Sequence, residues 1–209
     1  MTAILKVDEI QDTSGNNIIN ENANTVTIGK AGDTVNVVGT LQSNGSDVPT
    51  VAGGITEADQ WRVTTNITLP EGTPSDITSN WERIDTDGFA KIGTGMTESS
   101  GVFTFPSTGV YIVSAWTCYQ GATASYINSR ILTSTDNFST TNLASENYTF
   151  SSSASDYTTE FLNFVFNVTN TSTHKVKFAH RAQASGVNLQ GGTNDSYNAF
   201  TFIRLGDSQ

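Results

Sequence analysis

The sequence predicts an all-β protein with many polar turns. Thr, Ser and Asn together supply 73 of its 209 residues, and these residue types are poor in helix interiors. Only 14% of the residues are charged, while 11 Phe, 6 Tyr and 3 Trp provide ample aromatic surface to bury. The first observation excludes a helical bundle, and the second excludes an intrinsically disordered chain.

Residues 1–48 differ in composition from the rest of the chain, because they contain no aromatic residue. Short β-prone runs at 4–10, 25–29 and 34–39 alternate with turn-forming residues. Such strands bury too little area within one chain to offset their ordering entropy, so we expect copies of the segment to pack together. We therefore predict a β-rich stem at 1–48, followed by a linker at 49–56.

Aromatic residues begin in the third segment, 57–209, and continue almost to its end. Runs that alternate apolar and polar side chains are separated there by clusters of Gly, Ser, Asn and Pro. Eight or so such runs, with no helical period, predict a sandwich or jelly roll. The serine-rich stretch 138–156 fits either an exposed loop or an irregular edge strand.

This segment contains two notable motifs, at residues 101–114 and 198–205. The first is similar to the pattern G-x-F-x-x-P-x-x-G-x-Y-x-x-S, which marks a central hairpin in C1q-like domains, and the second resembles the closing strand of that family. The resemblance implies the ten-stranded jelly roll of C1q and TNF-like domains, and it implies a tight homotrimer. Pro106 and Gly109 are expected to form a tight turn. Residues expected in the core and in part of the trimer interface are Phe103, Phe105, Tyr111, Phe200 and Phe202.

The N-terminal residues 4–17 resemble the opening of tail-fibre and other virion structural proteins of marine bacteriophages. In those proteins the segment precedes C-terminal domains of different kinds. The resemblance implies attachment to other virion proteins, of the tail or of the capsid, in a particle assembled in the host cytoplasm. The residues expected to make this attachment are Ile4, Val7, Ile10, Val26, Ile28, Val35 and Val37.

The sequence offers no motif for catalysis, a cofactor or a metal ion. It contains no GxSxG, phosphate loop or GxGxxG motif, and the single Cys118 excludes an intrachain disulfide. His174 and His180 would lie about 20 Å apart on a strand, too far to share a metal ion. Asp85 and Asp87 alternate as calcium ligands do, but Asp-Gly is also a common turn pair, and the turn is favoured.

Charge and hydropathy limit the partners. The net charge of −10 repels nucleic acid. The chain has no run of 18 apolar residues and no apolar leader, so we expect neither membrane insertion nor a signal peptide.

Several tyrosines lie beside amide, hydroxyl and carboxylate residues, a pairing typical of carbohydrate-binding surfaces. The ring faces the C–H side of a sugar, and the polar groups bind its hydroxyls. For any single tyrosine, packing between strands or in the trimer interface is the favoured alternative. The candidate receptor-binding residues are Tyr119, Tyr148, Tyr157, Asn194, Asp195 and Tyr197.

These patterns predict a homotrimeric short tail fibre or spike that binds a glycan or protein of the host surface. The alternative is a trimeric capsid decoration protein or head fibre that reinforces the shell. An enzyme that degrades capsular sugar is the weakest hypothesis, because no spacing of acidic residues favours it.

Overall fold

The computed structural model describes residues 42–43, 46–47 and 54–209. The chain divides into two compact units, Met1–Gly53 and Gly54–Gln209. In the first unit, Gln42–Ser43 (β1) and Ser46–Asp47 (β2) pair as an antiparallel ribbon. The predicted attachment residues, from Ile4 to Val37, lie outside the described residues.

The second unit is a sandwich of two β-sheets. Sheet I contains β3 (Ala58–Val63), β4 (Ile67–Thr68), β6 (Trp81–Arg83), β9 (Gly109–Gln120), β12 (Thr158–Val168), β14 (Asn188–Leu189) and β15 (Ala199–Gly206). Sheet II contains β5 (Ser75–Asp76), β7 (Thr97–Ser99), β8 (Val102–Thr104), β10 (Ala124–Ser134), β11 (Asn142–Ser151) and β13 (Lys175–Ala182). The prediction of an all-β sandwich is confirmed.

Strand β9 organises sheet I. It pairs with β12 along one side and with β15 and β14 along the other, and β3 and β6 follow beyond β15. Sheet II has the order β11–β10–β13–β8–β7. The edge strands β12 and β11 lie side by side, since the Asn147 side-chain amide donates to the Phe161 carbonyl at 3.3 Å.

The stretch 138–156 is mostly the edge strand β11 rather than a loop. Its pairing with β10 shifts register in two places, near Ala124 and near Ile131. Such bulges are common at sheet edges. The edge-strand alternative therefore describes this stretch.

The core lies between the sheets and is rich in aromatic rings. Trp81 and Phe178 each lie with their ring centroids 4.6 Å from that of Phe200. The five aromatic residues of the two C1q-like motifs are at most 1% exposed within the single chain: Phe103, Phe105, Tyr111, Phe200 and Phe202. They hold the two sheets together and leave no surface for a second subunit, so their predicted share in a trimer interface is wrong.

The motif at 101–114 does not form a hairpin, contrary to our expectation. β8 belongs to sheet II and β9 to sheet I, so the segment between them, including Pro106, crosses from one sheet to the other. Gly109 begins β9 at a close approach, because a Cβ there would lie 2.7 Å from the Gly206 carbonyl oxygen. Alternation places side chains inward or outward, but it does not specify the partner strand.

Candidate functional site

The outward face of sheet I carries two rows of apolar side chains. Strand register sets them side by side: the first row is Ile203, Ile112 and Val165, and the second is Ala199, Trp116 and Phe161. Trp116 is 41% exposed, and Phe161 and Val165 are both 56% exposed. Exposed apolar side chains beside polar ones are typical of interaction sites, and aromatic residues are enriched in interface cores. We name these six residues the apolar face.

The sequence of β12 explains why this face is apolar. Leu162 and Phe166 point inward and are buried, while Phe161 and Val165 point outward. A strand with one face in water normally alternates apolar and polar residues, whereas a strand covered on both faces reads as a nearly continuous apolar run. The outward positions of β12 combine Phe161 and Val165 with the polar Thr159, Asn163 and Asn167, and the two apolar residues favour a partner on that side.

Tyr119 is wrong as a receptor-binding residue. Its side chain is completely buried between the sheets, and its hydroxyl contacts Ser129 and lies 2.5 Å from His180 Nδ1. Tyr119 continues the inward alternation of β9 that also buries Tyr111 and Val113. It therefore belongs to the core.

The other five predicted receptor-binding residues are exposed, but they lie on separate elements. Tyr148 is on β11, and Tyr157 is in the connection between β11 and β12. Asn194, Asp195 and Tyr197 share the loop between β14 and β15. The structure thus brings three of them together on one loop.

The β14–β15 loop has a rigid base. Asn198 is buried, accepts a hydrogen bond from the Val63 amide at 2.7 Å and donates to the Gln190 carbonyl at 2.6 Å. The Gly191 amide donates to Asn66 Oδ1, and a Cβ on Gly191 would lie 2.3 Å from the backbone carbon of Thr65. The exposed tip is therefore held by backbone contacts that admit only glycine at position 191.

The loop around Asp85 lies against the same tip, since the Thr86 hydroxyl donates to the Asn194 carbonyl. Arg62 is almost fully buried, and its guanidinium donates to Glu82 at 2.8 Å and to Asp85 at 3.0 Å. This pairing supports the interpretation of the Asp-Gly segment as a turn. Within 54–209, no group of three or more His, Cys, Asp or Glu side chains is arranged to hold a metal ion.

A chain of polar side chains crosses the core. Tyr119 (β9) and Glu160 (β12) come from sheet I, while Ser129 (β10) and His180 (β13) face each other in sheet II. The Ser129 hydroxyl donates to Glu160, and the Tyr119 hydroxyl contacts both Ser129 and His180. With the His180 proton on Nδ1, each residue donates to the next, from His180 through Tyr119 and Ser129 to Glu160.

Burial controls the ionisation of this chain. Desolvation raises the pKa of Glu160 to about 7, partly opposed by the hydrogen bond from Ser129. Desolvation lowers the pKa of His180 to about 3 and raises the pKa of Tyr119 above its usual range. Glu160 is thus poised to change charge near neutral pH, whereas His180 stays neutral.

The buried chain has little contact with solvent. All four side chains are at most 3% exposed, and the cavity lined by His180, Leu69 and Ile77 has a volume of only about 60 Å³. Such a cavity admits molecules of the size of water. Cys118 is also buried, and desolvation raises the pKa of its thiol. Ser, His and Glu are residue types that often serve catalysis, and here Ser129, His180 and Glu160 belong to a hydrogen-bonded network in the core.

Sequence reasoning missed Glu160 and the burial of His180. The signal was present in the alternation, because Glu160 shares the inward positions of β12 with Leu162, and His180 shares those of β13 with Phe178. An ionisable residue at an inward position of an apolar strand is unusual and indicates a buried hydrogen-bond network.

Comparisons with known proteins identify the fold. No protein-family model and no curated protein matches the sequence. Eiger TNF from S. frugiperda is 14% identical over 75% of this chain and 96% of its own, with a TM-score of 0.56. Murine APRIL is 10% identical over 71% of this chain and 98% of its own, with a TM-score of 0.52. The chain has a TNF-like jelly-roll fold.

This jelly roll is the fold that the C1q-like motifs implied. PRD1 vertex protein P5 also matches, at 15% identity over 73% of this chain and 99% of its own. Its TM-score is 0.45, which is too low to support a conclusion. At these identities the likeness extends to the fold alone. In residues 54–209, no helix has the length and apolar character needed to cross a membrane.

Proposed function

We propose that the protein is a homotrimeric virion appendage, a short tail fibre or spike that binds the host surface. The observation that carries the proposal is the apolar face of sheet I. A jelly roll that exposes Trp116, Phe161 and Val165 on one sheet face needs a partner for them, and a second copy of the chain supplies one. The C1q-like motifs, whose family forms trimers, favour three copies.

The apolar face fits an interface between subunits better than a receptor site. Its rows are separated by the polar row of Thr201, Ser114 and Asn163, which can form hydrogen bonds across an interface. Trp116, in the second row, is of a residue type that often carries a large share of the binding energy in such contacts. We therefore assign the apolar face to self-association.

Receptor contact then falls to the exposed polar loops, above all the β14–β15 loop. Asn194, Asp195 and Tyr197 sit at its exposed tip above a rigid base. Three copies on one trimer multiply weak contacts to a repeated surface glycan or protein, so no deep pocket is needed. Such recognition involves binding without a covalent reaction, and it requires neither a cofactor nor a metal ion.

Attachment to the particle is assigned to the stem at 1–48, joined to the jelly-roll head at 57–209 by the linker at 49–56. The support is the resemblance of residues 4–17 to virion structural proteins of marine bacteriophages. The apolar stem residues from Ile4 to Val37 would contact other proteins of the tail or capsid. The protein would be found in the virion.

Two measurements test the proposal. Sedimentation equilibrium of the purified chain should give the mass of a trimer, and a monomer at micromolar concentration would overturn the assignment of the apolar face. Quantitative mass spectrometry of purified virions should give some tens of copies or fewer, in multiples of three. Several hundred copies would favour the second candidate, a decoration protein that reinforces the shell, and absence from virions would refute both.

A further inference from the structure

The outward face of sheet II is basic, although the protein as a whole is acidic. The chain carries a net charge of −10. Residues 54–209 contain eight Lys and Arg side chains, and four of them occupy outward positions of β10 and β13: Arg130, Lys175, Lys177 and Arg181. We name this surface, together with Tyr126 and Tyr148, the basic face. A concentration of positive charge on an acidic protein attracts anionic ligands to that surface.

Within the basic face, Arg181 and Lys175 have no carboxylate partner among the described residues, but Lys175 is only 7% exposed, and its ammonium donates to the Thr104 hydroxyl and the Thr171 carbonyl. Arg130 pairs with Glu146 and Lys177 pairs with Asp76, each at 3.2 Å. The Arg181 guanidinium instead donates to the Gly72 carbonyl at 2.9 Å and to the Tyr148 hydroxyl at 3.1 Å. Its Nε atom is buried without a hydrogen-bond partner. Within residues 54–209, Arg181 therefore forms no direct ion pair, and the carboxylate of Glu146 accepts a hydrogen bond from the same Tyr148 hydroxyl at 3.4 Å.

Two tyrosines hold this guanidinium in place. It lies 5.3 Å from the ring centroid of Tyr126, and the Tyr126 and Tyr148 rings meet edge to face at 6.1 Å. Strand register aligns Tyr148, Asn128 and Arg181 across β11, β10 and β13, a span of about 10 Å. Because the arrangement is built from three paired strands, binding costs little reorganisation.

We propose that this row binds an acidic polysaccharide, with Arg181 receiving the anionic group and Tyr148 receiving the sugar ring. Tyr148 is 48% exposed, and its hydroxyl lies 3.1 Å from the Arg181 guanidinium, so the exposed part of the side chain lies beside the charge. A guanidinium binds a carboxylate through two parallel hydrogen bonds, and an aromatic ring packs against the C–H face of a sugar. The inference deepens the proposed function by naming the ligand class.

The geometry separates this surface from the interface between subunits. The apolar face belongs to sheet I and the basic face to sheet II, and the two point outward on opposite sides of the sandwich. A trimer formed through the apolar face therefore leaves the basic face available. The ion pair between Arg130 and Glu146 limits the repulsion that Glu146 would exert on an anion.

The test is titration of the purified full-length chain with oligosaccharides of equal length. The probes are an oligouronate, which bears carboxylates, a sulfated oligosaccharide, which bears the other common anionic group of polysaccharides, and a neutral glucan. We expect binding of at least one anionic probe and none of the neutral one. Carboxylate and sulfate groups can both accept hydrogen bonds from the Arg181 guanidinium. Comparing the two anionic probes identifies which of these groups the protein binds.

Variants locate the site. Arg181→Gln and Tyr148→Ala should each weaken binding about tenfold or more. Arg181→Lys keeps the charge but cannot form two parallel hydrogen bonds, so its affinity should lie between that of these variants and that of the wild type. Lys91→Gln is the matched control, because Lys91 is exposed and also lacks a carboxylate partner. It should bind like the wild type, and thermal unfolding should show all four variants folded.

Equal binding of the neutral glucan, no binding of either anionic probe, or unchanged binding by Arg181→Gln would overturn this inference. These results concern isolated sugars and leave the proposed function standing, since the virion copy number and the trimer mass test that separately. Conversely, a chain absent from virions could still bind an oligouronate through Arg181.

Discussion

Replacing Glu160 by Gln should change how stability depends on pH. The Glu160 side chain is buried, and desolvation raises its pKa from 4.5 to about 7. In the unfolded chain this carboxyl releases its proton at lower pH than in the folded chain. Stability is therefore lost as the pH rises from about 4.5 to about 7. A shift of this size corresponds to about 3 kcal/mol of unfolding free energy, at 1.36 kcal/mol per pKa unit.

The ionisation of His180 changes stability with pH in the opposite direction, so its effect must be separated from that of Glu160. Its pKa is lowered from 6.5 to about 3, so the unfolded chain takes up a proton that the folded chain does not, and stability falls as the pH drops through this range. Over the shared range the two effects nearly cancel in the wild type. The difference between the wild type and Glu160→Gln isolates Glu160, because His180 is present in both.

The assay is urea unfolding of both proteins at one fixed protomer concentration, at several pH values between about 4.5 and 7.5. The stability of Glu160→Gln relative to the wild type should increase by up to about 3 kcal/mol over this range. Glu71→Gln, at an exposed position, is the control for loss of one negative charge. A difference between the wild type and Glu160→Gln that does not vary with pH would refute the reasoning.

Three further perturbations test the assembly and the loop. Phe161→Glu should dissociate the trimer in sedimentation experiments. Phe150→Glu, on β11, should not, although Phe150 is even more exposed (65% against 56%). Dissociation by both variants would refute the assignment of the apolar face. A chain beginning at Gly54 should remain a folded trimer but fail to join virions, and its unfolding would disprove the division into stem and head. In urea unfolding, Gly191→Ala should lower the free energy of unfolding by about 1–3 kcal/mol. Gly206→Ala should lower it less, because a Cβ at position 206 meets no atom within 4 Å.

Alternation of apolar and polar residues predicted the fold class and much of the core. It placed Phe103, Phe105 and Tyr111 inward, where the structure buries them. The same alternation, continued to the end of β9, also places Tyr119 inward, yet the neighbouring Gln and Gly suggested a loop. The error arose from giving local turn composition more weight than the strand period, which here extends to Gln120.

Strand partners could not be predicted in the same way. The residues of β8 and β9 are close in sequence, but β8 pairs with β13 and β9 pairs with β12 and β15. Pairing of this kind depends on contacts between residues far apart in the chain, and period alone carries no information about it. For the same reason, the sequence did not indicate that Arg181 and Tyr148 would meet across three strands.

In the proposed assembly the two outward faces of the sandwich have different tasks: the apolar face joins copies of the chain, and the basic face contacts the ligand. The cavities beside His180 and beside Phe89 are about 60 and 160 Å³, smaller than typical ligand pockets of about 300 Å³ or more. We therefore assign recognition to shallow surface groups such as Arg181 and the β14–β15 loop. Shallow sites bind weakly one at a time, so the apolar face, by joining three copies, would give them the avidity that host attachment requires.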